Sequence, residues 1–564
     1  MSLKLISTTE GLTRSKDRKP IAVFDCETDP FKFGRIPLPF LTAYYSGKEY
    51  RSFRKVEEFV NFIRTQDVVC YAHNGGKFDF LFLVPYFDKD TKIFLINGRL
   101  GGFKLGKCEF RDSYLILPIP LSAYKKDKID YEIFERVYRE IPENLALISA
   151  YLKNDCIYLY DLISAFRKKY GSNLTIASTA MAQWRKISGE RAPRQSESEF
   201  VFFKQWYFGG RVEVFKPGIA DVALKSWDAN RAYSAAMKKA WFPYGNDPVK
   251  IDRLPDDENE LGRCFLEIEA YSKGAYPLKM LIERVDPDTG EKYKVESLEF
   301  PHDGVRRVFK VTGWEYLAAL RTGTDGSARV ISCFQFPKKI NFSKFVDKFY
   351  DPALDPSSTD YIFNKLVGNS LYGKFGQDCR EFQDFYLVDQ FETLKKEKEY
   401  GGTWCDFVGK WSLIAAPQAE EKRKFYAIHV SASVTGYQRA ELWQNICKTK
   451  DPYYCDTDCI HGLEFRGKIG RELGEWKIDL KFDPRRVAYA GKKMYALWDG
   501  ETPWGSFDDK GKPIGWKIAS KGAQLTGPQI FEVAAGKTIT YKQDAPTMSL
   551  RGVKFQEREI RMTI

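Results

Sequence analysis

The sequence predicts a multidomain protein that combines α/β and α+β parts, and three observations carry that prediction. The chain has 564 residues, enough for about three to five domains of ordinary size. Its first third runs from a strand-like stretch (Ile21 to Phe24) to a long segment of helical period (Leu145 to Phe166). A polar stretch, Ser188 to Glu199, then reads as a linker to a second body that fills the rest of the chain. The expected division is 1–188 and 189–564, the second body carrying turn-rich, charged insertions at about 286–340 and 377–423.

Composition narrows the class. With 43% hydrophobic and 29% charged residues, the chain is no disordered polymer. Its longest apolar run, Phe78 to Phe87, is broken by Asp79 and Pro85 and is too short to cross a bilayer. The stretch Met1 to Pro20 has no apolar signal-peptide core. An intracellular protein with no membrane partner is expected. The eleven cysteines form no CxxC pair and read as reduced thiols, and four histidines are few for a His-built metal centre. The net charge of +12 is moderate, but basic clusters recur at Lys125-Lys126, Arg167 to Lys169, Lys422 to Lys424, Arg485-Arg486 and Lys492-Lys493. Nucleic acid is the leading partner. Any one cluster alone is equally a solvated face.

The first body concentrates carboxylates where they are costly. In PIAVFDCETDP, strand alternation points Asp25 and Glu27 to one side, about 7 Å apart along the chain. Such a pair repels unless a cation lies between; alone, the fragment is equally a polar strand end entering a turn. In YAHNGGKFDFLFL, Asp79 stands among Phe78, Phe80, Leu81 and Phe82. From Leu145 to Phe166 the apolar stripe of Ile148, Leu152, Leu159, Leu162, Ile163 and Phe166 also carries Asp155, with Tyr151 one turn earlier. Asp25, Glu27, Asp79 and Asp155 together suit two divalent metals that promote attack of water on phosphorus, with Tyr151 orienting the water.

These fragments resemble the three exonuclease motifs of proofreading DNA polymerases. DxE is Asp25-Cys26-Glu27, Nx(2–3)(F/Y)D runs from Asn74 to Phe78-Asp79, and Yx(3)D runs from Tyr151 to Asp155. The resemblance implies a ribonuclease-H-like fold for this body.

The second body has its own constellation. PYYCDTDCIHG is a β-rich run with Asp456 and Asp458 two apart, a pattern that ordinary turns share. KSWDANRAYSAAM places Asp228 at the end of a short strand and Tyr233 at the start of a helix. In SSTDYIFNKLVGNSLYGKFG a Ser/Thr-capped helix is expected to carry Lys365, Asn369 and Tyr372 on one face. That face offers a cation for phosphates, an amide and an aromatic ring.

With these residues the chain resembles family B DNA polymerases. Asp228-x(4)-Tyr233, Lys365-x(3)-Asn369-Ser370-x-Tyr372-Gly373 and Tyr454-Cys455-Asp456-Thr457-Asp458 look like motifs A, B and C. Tyr207-Phe208-Gly209-Gly210 looks like YxGG and Lys493-Met494-Tyr495 like KxY, whereas Ser520-Lys521-Gly522 is a faint thumb mark. Length and the two insertions resemble the protein-primed branch of bacteriophages and linear plasmids. Lys126 to Ile129 resembles that branch's Kx(2)h motif, and Ser113-Tyr114-Leu115 its (S/T)Lx(2)h motif.

The resemblance implies an exonuclease domain followed by palm, fingers and thumb, in a DNA-dependent DNA polymerase with 3′→5′ proofreading. It also implies a protein primer, strand displacement and a viral or plasmid genome. It implies two Mg²⁺ or Mn²⁺ ions per site, held by Asp25, Glu27, Asp79 and Asp155 and by Asp228 and Asp458, with Asp456 beside them. Lys365 would grip the triphosphate, Asn369 and Tyr372 would help bind the nucleotide, and Tyr233 would exclude a 2′-hydroxyl. Lys493 and Tyr495 would hold the primer end. Thr28, Tyr71, His73, Asn74, Phe78, Phe82, Ser113, Lys126, Tyr207, Gly209 and Gly210 would contact DNA. Arg231 departs from the family's Dx(2)SLYP and is a candidate extra triphosphate contact. Implied partners are template/primer DNA, deoxynucleoside triphosphates and a terminal protein, for a monomer in a host cytoplasm. The competing expectations are a stand-alone metal-dependent exonuclease, and a family B polymerase using nucleic-acid primers or none.

Overall fold

The computed structural model describes residues 6–7, 19–32, 35–285, 291–504, 506–507, 513–520, 525–543, 547–554 and 558–562. In the first body the strand Ile21–Thr28 lies between Pro39–Tyr45, antiparallel, and Val69–Ala72, parallel. Cys108–Asp112, Arg99–Leu105 and Ile93–Ile96 continue that mixed sheet outward. Alternation decides which side chain faces which layer. Val23 and Tyr71 face the helix Pro142–Tyr170, whereas Phe24, Phe80, Phe103 and Phe110 stack beneath the other face with Phe59.

The helix Pro142–Tyr170 is longer than the expected Leu145 to Phe166 because its ends are well formed. Proline opens its first turn, Arg167, Lys168 and Lys169 complement the carbonyls of its last, and Gly171 leaves the helix at φ 88°. Ile148, Leu152, Asp155, Leu159, Leu162, Ile163 and Phe166 are all buried on one stripe, as the period requires.

Three organisational expectations need correction. The polar stretch at 188–199 is no open linker. The helix Ile176–Ser188 stops at Gly189 (φ 75°), and Ser196 and Glu199 form a capping box that starts the helix Glu197–Lys204. Between them Gln195 is buried, accepting from the Ile428 N–H at 3.0 Å and bonded to His429 Nδ1 at 3.0 Å. The segment 286–340 is not a self-contained insertion either. Its strands Arg306–Thr312 and Arg329–Gln335 flank Cys264–Tyr271, which precedes it in sequence; Asp286 itself lies outside the described residues. The segment 377–423, expected as an appendage of the second body, extends the first body's sheet. Ile6–Ser7 pairs with Ile96 on one side and with Phe382 and Gln383 on the other, and Trp411–Pro417 and Thr403–Val408 follow. Eleven strands result.

The second body centres on a five-stranded sheet ordered Trp476–Ile478, Lys225–Ala229, Cys459–Gly462, Tyr454–Asp456, Val212–Val214. The helix Ile428–Cys447, buried along most of its length, packs in the same body and ties this sheet to the rest of the core. A further sheet of Gly218–Asp221, Arg486–Gly491, Met494–Trp498 and Trp516–Ser520, backed by the helix Gly527–Ala534, lies beyond it. Of the faint mark at Ser520-Lys521-Gly522, Lys521 and Gly522 lie outside the described residues. All described cysteines are free, and no described helix is long and apolar enough to cross a membrane.

Two candidate active sites

The first site is a cavity of about 850 Å³ lined by Asp25, Glu27, Thr28, His73, Asn74, Phe78, Asp79, Lys126, Tyr131, Tyr151 and Asp155, among others. One ligand atom each from Asp25, Glu27 and Asp155 lies within 4.8 Å of the others. Asp79 lines the same cavity and is almost fully buried. Four carboxylates sharing so little water resist ionisation. Burial, then the charge of Asp155, pushes the Asp25 carboxyl up to about 7. Burial followed by the charge of Asp25 raises Glu27 and Asp79 well above the carboxylate range. Burial also raises Asp155, against Lys126, whose Nζ stands 3.3 Å from Asp155 Oδ2. Asp79 Oδ1 and Asp155 Oδ1 are buried with no hydrogen-bond partner. Surplus negative charge with unpartnered oxygens fits a divalent cation.

The expected DNA contacts of this body divide by burial. Thr28, His73, Asn74, Phe78 and Lys126 line the cavity. Both His73 ring nitrogens are already engaged, with Ser113 Oγ at 2.9 Å and the Ile119 carbonyl at 2.8 Å, so its ring face is what remains. Asn74 sits at φ 60° and takes a hydrogen bond from Arg99. Three expectations fail on accessibility. Tyr71 is 2% exposed and belongs to the core under the long helix. Phe82 is buried edge-on behind Phe78, with ring centroids 5.2 Å apart, and supports that ring. Ser113 is fully buried and holds His73. Sequence reasoning missed Tyr131, whose hydroxyl meets that of Tyr151 at 3.0 Å. No local signal marked it, since the contact closes across 20 residues.

The second site lies on neighbouring strands. Asp228 sits in Lys225–Ala229, directly paired with Cys459, the residue after Asp458. Thr457 takes φ 60° to make the turn between Asp456 and Asp458. Burial, then Asp228 and Asp456, pushes the Asp458 carboxyl up to about 6. Burial raises Asp228 as well, opposed by Lys477, whose Nζ is 3.6 Å away. Asp456 stands apart. Lys493 Nζ bonds both its oxygens, at 2.9 and 2.6 Å, while the Tyr454 hydroxyl donates to it at 3.2 Å. The Tyr207–Gly210 segment packs on this turn. A Cβ on Gly210 would stand 2.5 Å from Thr457 Oγ1, and Arg439 donates to the Phe208 and Gly209 carbonyls at 2.7 and 2.9 Å. Tyr495 is buried among Tyr454, Tyr489 and His461, and reaches solvent little. Lys477 carried no local signal, because it meets Asp228 only through the pairing of neighbouring strands.

Around the nucleotide side, the rings of Tyr233 and Tyr372 stack at 4.3 Å, and Ser234 Oγ donates to Asn369 Oδ1 at 3.0 Å. The expected single face is broken. The helix Thr359–Asn369 ends at Ser370, and Tyr372 belongs to a second short helix, Leu371–Phe375. Lys365 remains exposed on the first. Arg231, at φ 48°, does not reach toward the carboxylates. Its Nη1 donates to the Phe349 carbonyl at 2.9 Å, and its guanidinium lies 5.3 Å from the Tyr350 ring and 4.8 Å from that of Tyr361.

Fold and sites together define an enzyme of nucleic acids with a nuclease-type cavity in one body and a second carboxylate pair on the central sheet of the other. The family model for DNA polymerase type B, organellar and viral, matches residues 119–452. A DNA-directed DNA polymerase of Enterobacteria phage PRD1 is 33% identical, over 98% of this chain and 99% of its own. A probable DNA polymerase of Neurospora intermedia is 24% identical, over 82% of this chain and 56% of its own. The structure of Phi29 DNA polymerase with primer-template DNA and incoming nucleotides superposes with a TM-score of 0.68 at 20% identity, covering 97% of this chain and all of that one. The fold is therefore the expected exonuclease-plus-palm-fingers-thumb layout, and the chain belongs to the type B DNA polymerases of organelles and viruses.

Proposed function

We propose that the chain replicates DNA inside a host cell from a protein primer, adding deoxynucleotides at Asp228 and Asp458 and editing 3′ ends at the first cavity. The observation that carries this reading is the presence of two separate carboxylate sets in one chain. The phage PRD1 relative supports the synthetic role and the host-cell location.

At the editing site, Asp25, Glu27, Asp79 and Asp155 would hold two Mg²⁺ or Mn²⁺ ions; bound there, the ions supply Lewis acidity at phosphorus. Tyr151, steadied by Tyr131, orients the attacking water toward the cavity. Lys126 brings a cation beside Asp155, where charge builds on the scissile phosphate. Thr28, Asn74 and Phe78 steer the single strand, and the buried Ser113 and Phe82 steady the rings that face it. At the synthetic site Asp228 and Asp458 form the ligand pair, and Asp456 anchors Lys493 rather than a metal. Lys365 draws in the triphosphate, Asn369 orients it, and the Tyr233–Tyr372 stack floors the sugar pocket. Lys493 positions the primer end, with the buried Tyr495 behind it. Arg231 fixes the helix that carries Lys365 by holding Tyr361, one turn earlier. The segment 377–423, mounted on the first body's sheet, would border the template and favour strand displacement.

The test is a gel assay with Mg²⁺ and a 5′-labelled primer on a longer template. Extension with dNTPs and shortening without them is the expected result. Shortening under both conditions would reduce the protein to a nuclease. Protein priming is tested separately by transfer of labelled dNMP to a terminal protein encoded with this chain.

A further inference from the structure

Four stretches that are distant in sequence converge where the two bodies meet. Arg185 comes from the helix Ile176–Ser188, Arg194 from the joining segment, Lys374 from Leu371–Phe375, and Tyr426 from just before the helix Ile428–Cys447. Arg194 and Tyr426 form a β-bridge, and the Arg194 guanidinium stands 4.5 Å from the Tyr426 ring centroid. Arg185 stands 5.7 Å from it and donates to the phenol oxygen at 3.4 Å. Among the described residues Lys374 bonds only the Gln377 side-chain oxygen.

The charge here is unbalanced. Among the described residues none of the three cations has a carboxylate within ion-pairing distance, and Arg185 Nε is buried with no hydrogen-bond partner. The neighbouring cations are different, since Lys204 and Arg380 share Asp378 at 2.5 and 2.8 Å. The acids nearest in sequence are engaged elsewhere, Glu197 with Arg423 at 3.4 Å and Glu190 on Tyr244. The Tyr426 phenol registers the excess of positive charge. Burial lowers the Lys374 ammonium, Tyr426 and Cys379 oppose that, and Arg185 adds to it. Burial pushes the Tyr426 phenol up, but the hydrogen bond from Arg185 and the charges of Arg194 and Lys374 outweigh it and hold the phenol below its ordinary value. Three like charges around one ring, with donors left over, describe an anion site rather than a self-sufficient structural cluster.

We infer that Arg185, Arg194 and Lys374 form a binding site for a phosphodiester of the single-stranded template. The inference rests on the polymerase reading, and location supports it. Lys374 lies two residues beyond Tyr372, so the two point to different sides of one short helix, Tyr372 toward the Tyr233 stack and Lys374 toward the junction. A strand crossing that helix on its way from the sugar pocket meets the cluster, where two guanidinium groups and one ammonium can share a phosphate.

The experiment measures equilibrium binding of the full chain to a labelled primer–template with a single-stranded template overhang, in EDTA, across a salt series. Arg185→Ala with Arg194→Ala should weaken binding and flatten the slope of log affinity against log salt by about 0.7 for each phosphate charge no longer neutralised. The thermal midpoint should hold or rise, because mutual repulsion is removed, and the KM for dNTP at saturating DNA should stay unchanged. Parent-like affinity and slope would overturn the inference. So would a lowered midpoint with parent-like DNA binding, which would make the cluster purely structural. A raised dNTP KM with a parent-like slope would assign the cations to the nucleotide and also overturn it. Should the double variant fold poorly, Arg194→Gln alone reads the slope. Failure of the parent itself to bind primer–template would instead sink the polymerase reading.

Discussion

The two sites use the same residue types and reach different states. In the first body three carboxylates present ligand atoms within 4.8 Å inside a cavity, and Asp25 is pushed up to about 7. In the second, one of three carboxylates is already neutralised by Lys493 at 2.6 Å, and Asp458 is pushed up only to about 6. The first site places one lysine on its acids, Lys126 on Asp155, and the second places two, Lys493 on Asp456 and Lys477 on Asp228. Under the proposed roles the editing site is gathered before any substrate arrives, whereas the synthetic site holds fewer free ligands and would draw on substrate phosphates to complete it.

The largest effects should separate the sites outright. Asp458→Ala should cut nucleotide addition by about 10²–10³-fold or more, the scale of deleting one preorganised electrostatic group, while hydrolysis of a labelled single strand persists. Asp25→Ala with Asp79→Ala should do the reverse. Loss of both activities from either change, in protein with a parent-like thermal midpoint, would break the two-site division. The lysines come next. Lys126→Ala should slow degradation by about tenfold and Lys493→Ala synthesis by about tenfold, each removing one cation from beside a carboxylate, and single-turnover rates read both. Equal effects of one lysine on both activities would contradict the comparison.

A third expectation concerns protons. The unfolded Asp25 carboxyl titrates near 4, as free aspartate does, and the folded one near 7. The folded chain therefore binds more protons between those values, so metal-free stability rises as pH falls from 7 towards 4 and is lowest above 7. Melting without metal should show that trend, and Mg²⁺ should raise the midpoint more at pH 8 than at pH 6. A midpoint indifferent to both pH and Mg²⁺ would remove the electrostatic contrast between the sites. The smallest effect is Tyr131→Phe, which deletes one hydrogen bond of about 1 kcal/mol and should slow editing roughly fivefold or less without touching synthesis.

What could be read from the sequence follows from the range of each signal. Asp25 and Glu27 were legible through strand alternation, and Asp155 through helical period, because both are local rules. Tyr71, Phe82 and Ser113 were misplaced because a motif position does not say which face its side chain takes; alternation along Val69–Ala72 turns Tyr71 into the core. The break at Ser370 was invisible because Lys365, Asn369 and Tyr372 fit helical spacing whether or not the helix continues. The packing of Gln195 against His429, and of Tyr131 against Tyr151, closes across 234 and 20 residues. Such closures leave no trace in a window of neighbouring residues.

The two-residue strand Ile6–Ser7 bears on the order in which the molecule can be finished. Its partner Ile96 leaves the ribosome soon after it, whereas Phe382 and Gln383 emerge only after nearly three hundred further residues. Between those moments the nascent first body presents an unpaired strand edge, the kind of edge that invites foreign pairing. At about 5–20 residues per second of synthesis the exposure lasts on the order of tens of seconds. Completion of the longest sheet is therefore a late event of translation, and a pause beyond Ile96 would prolong the aggregation-prone interval.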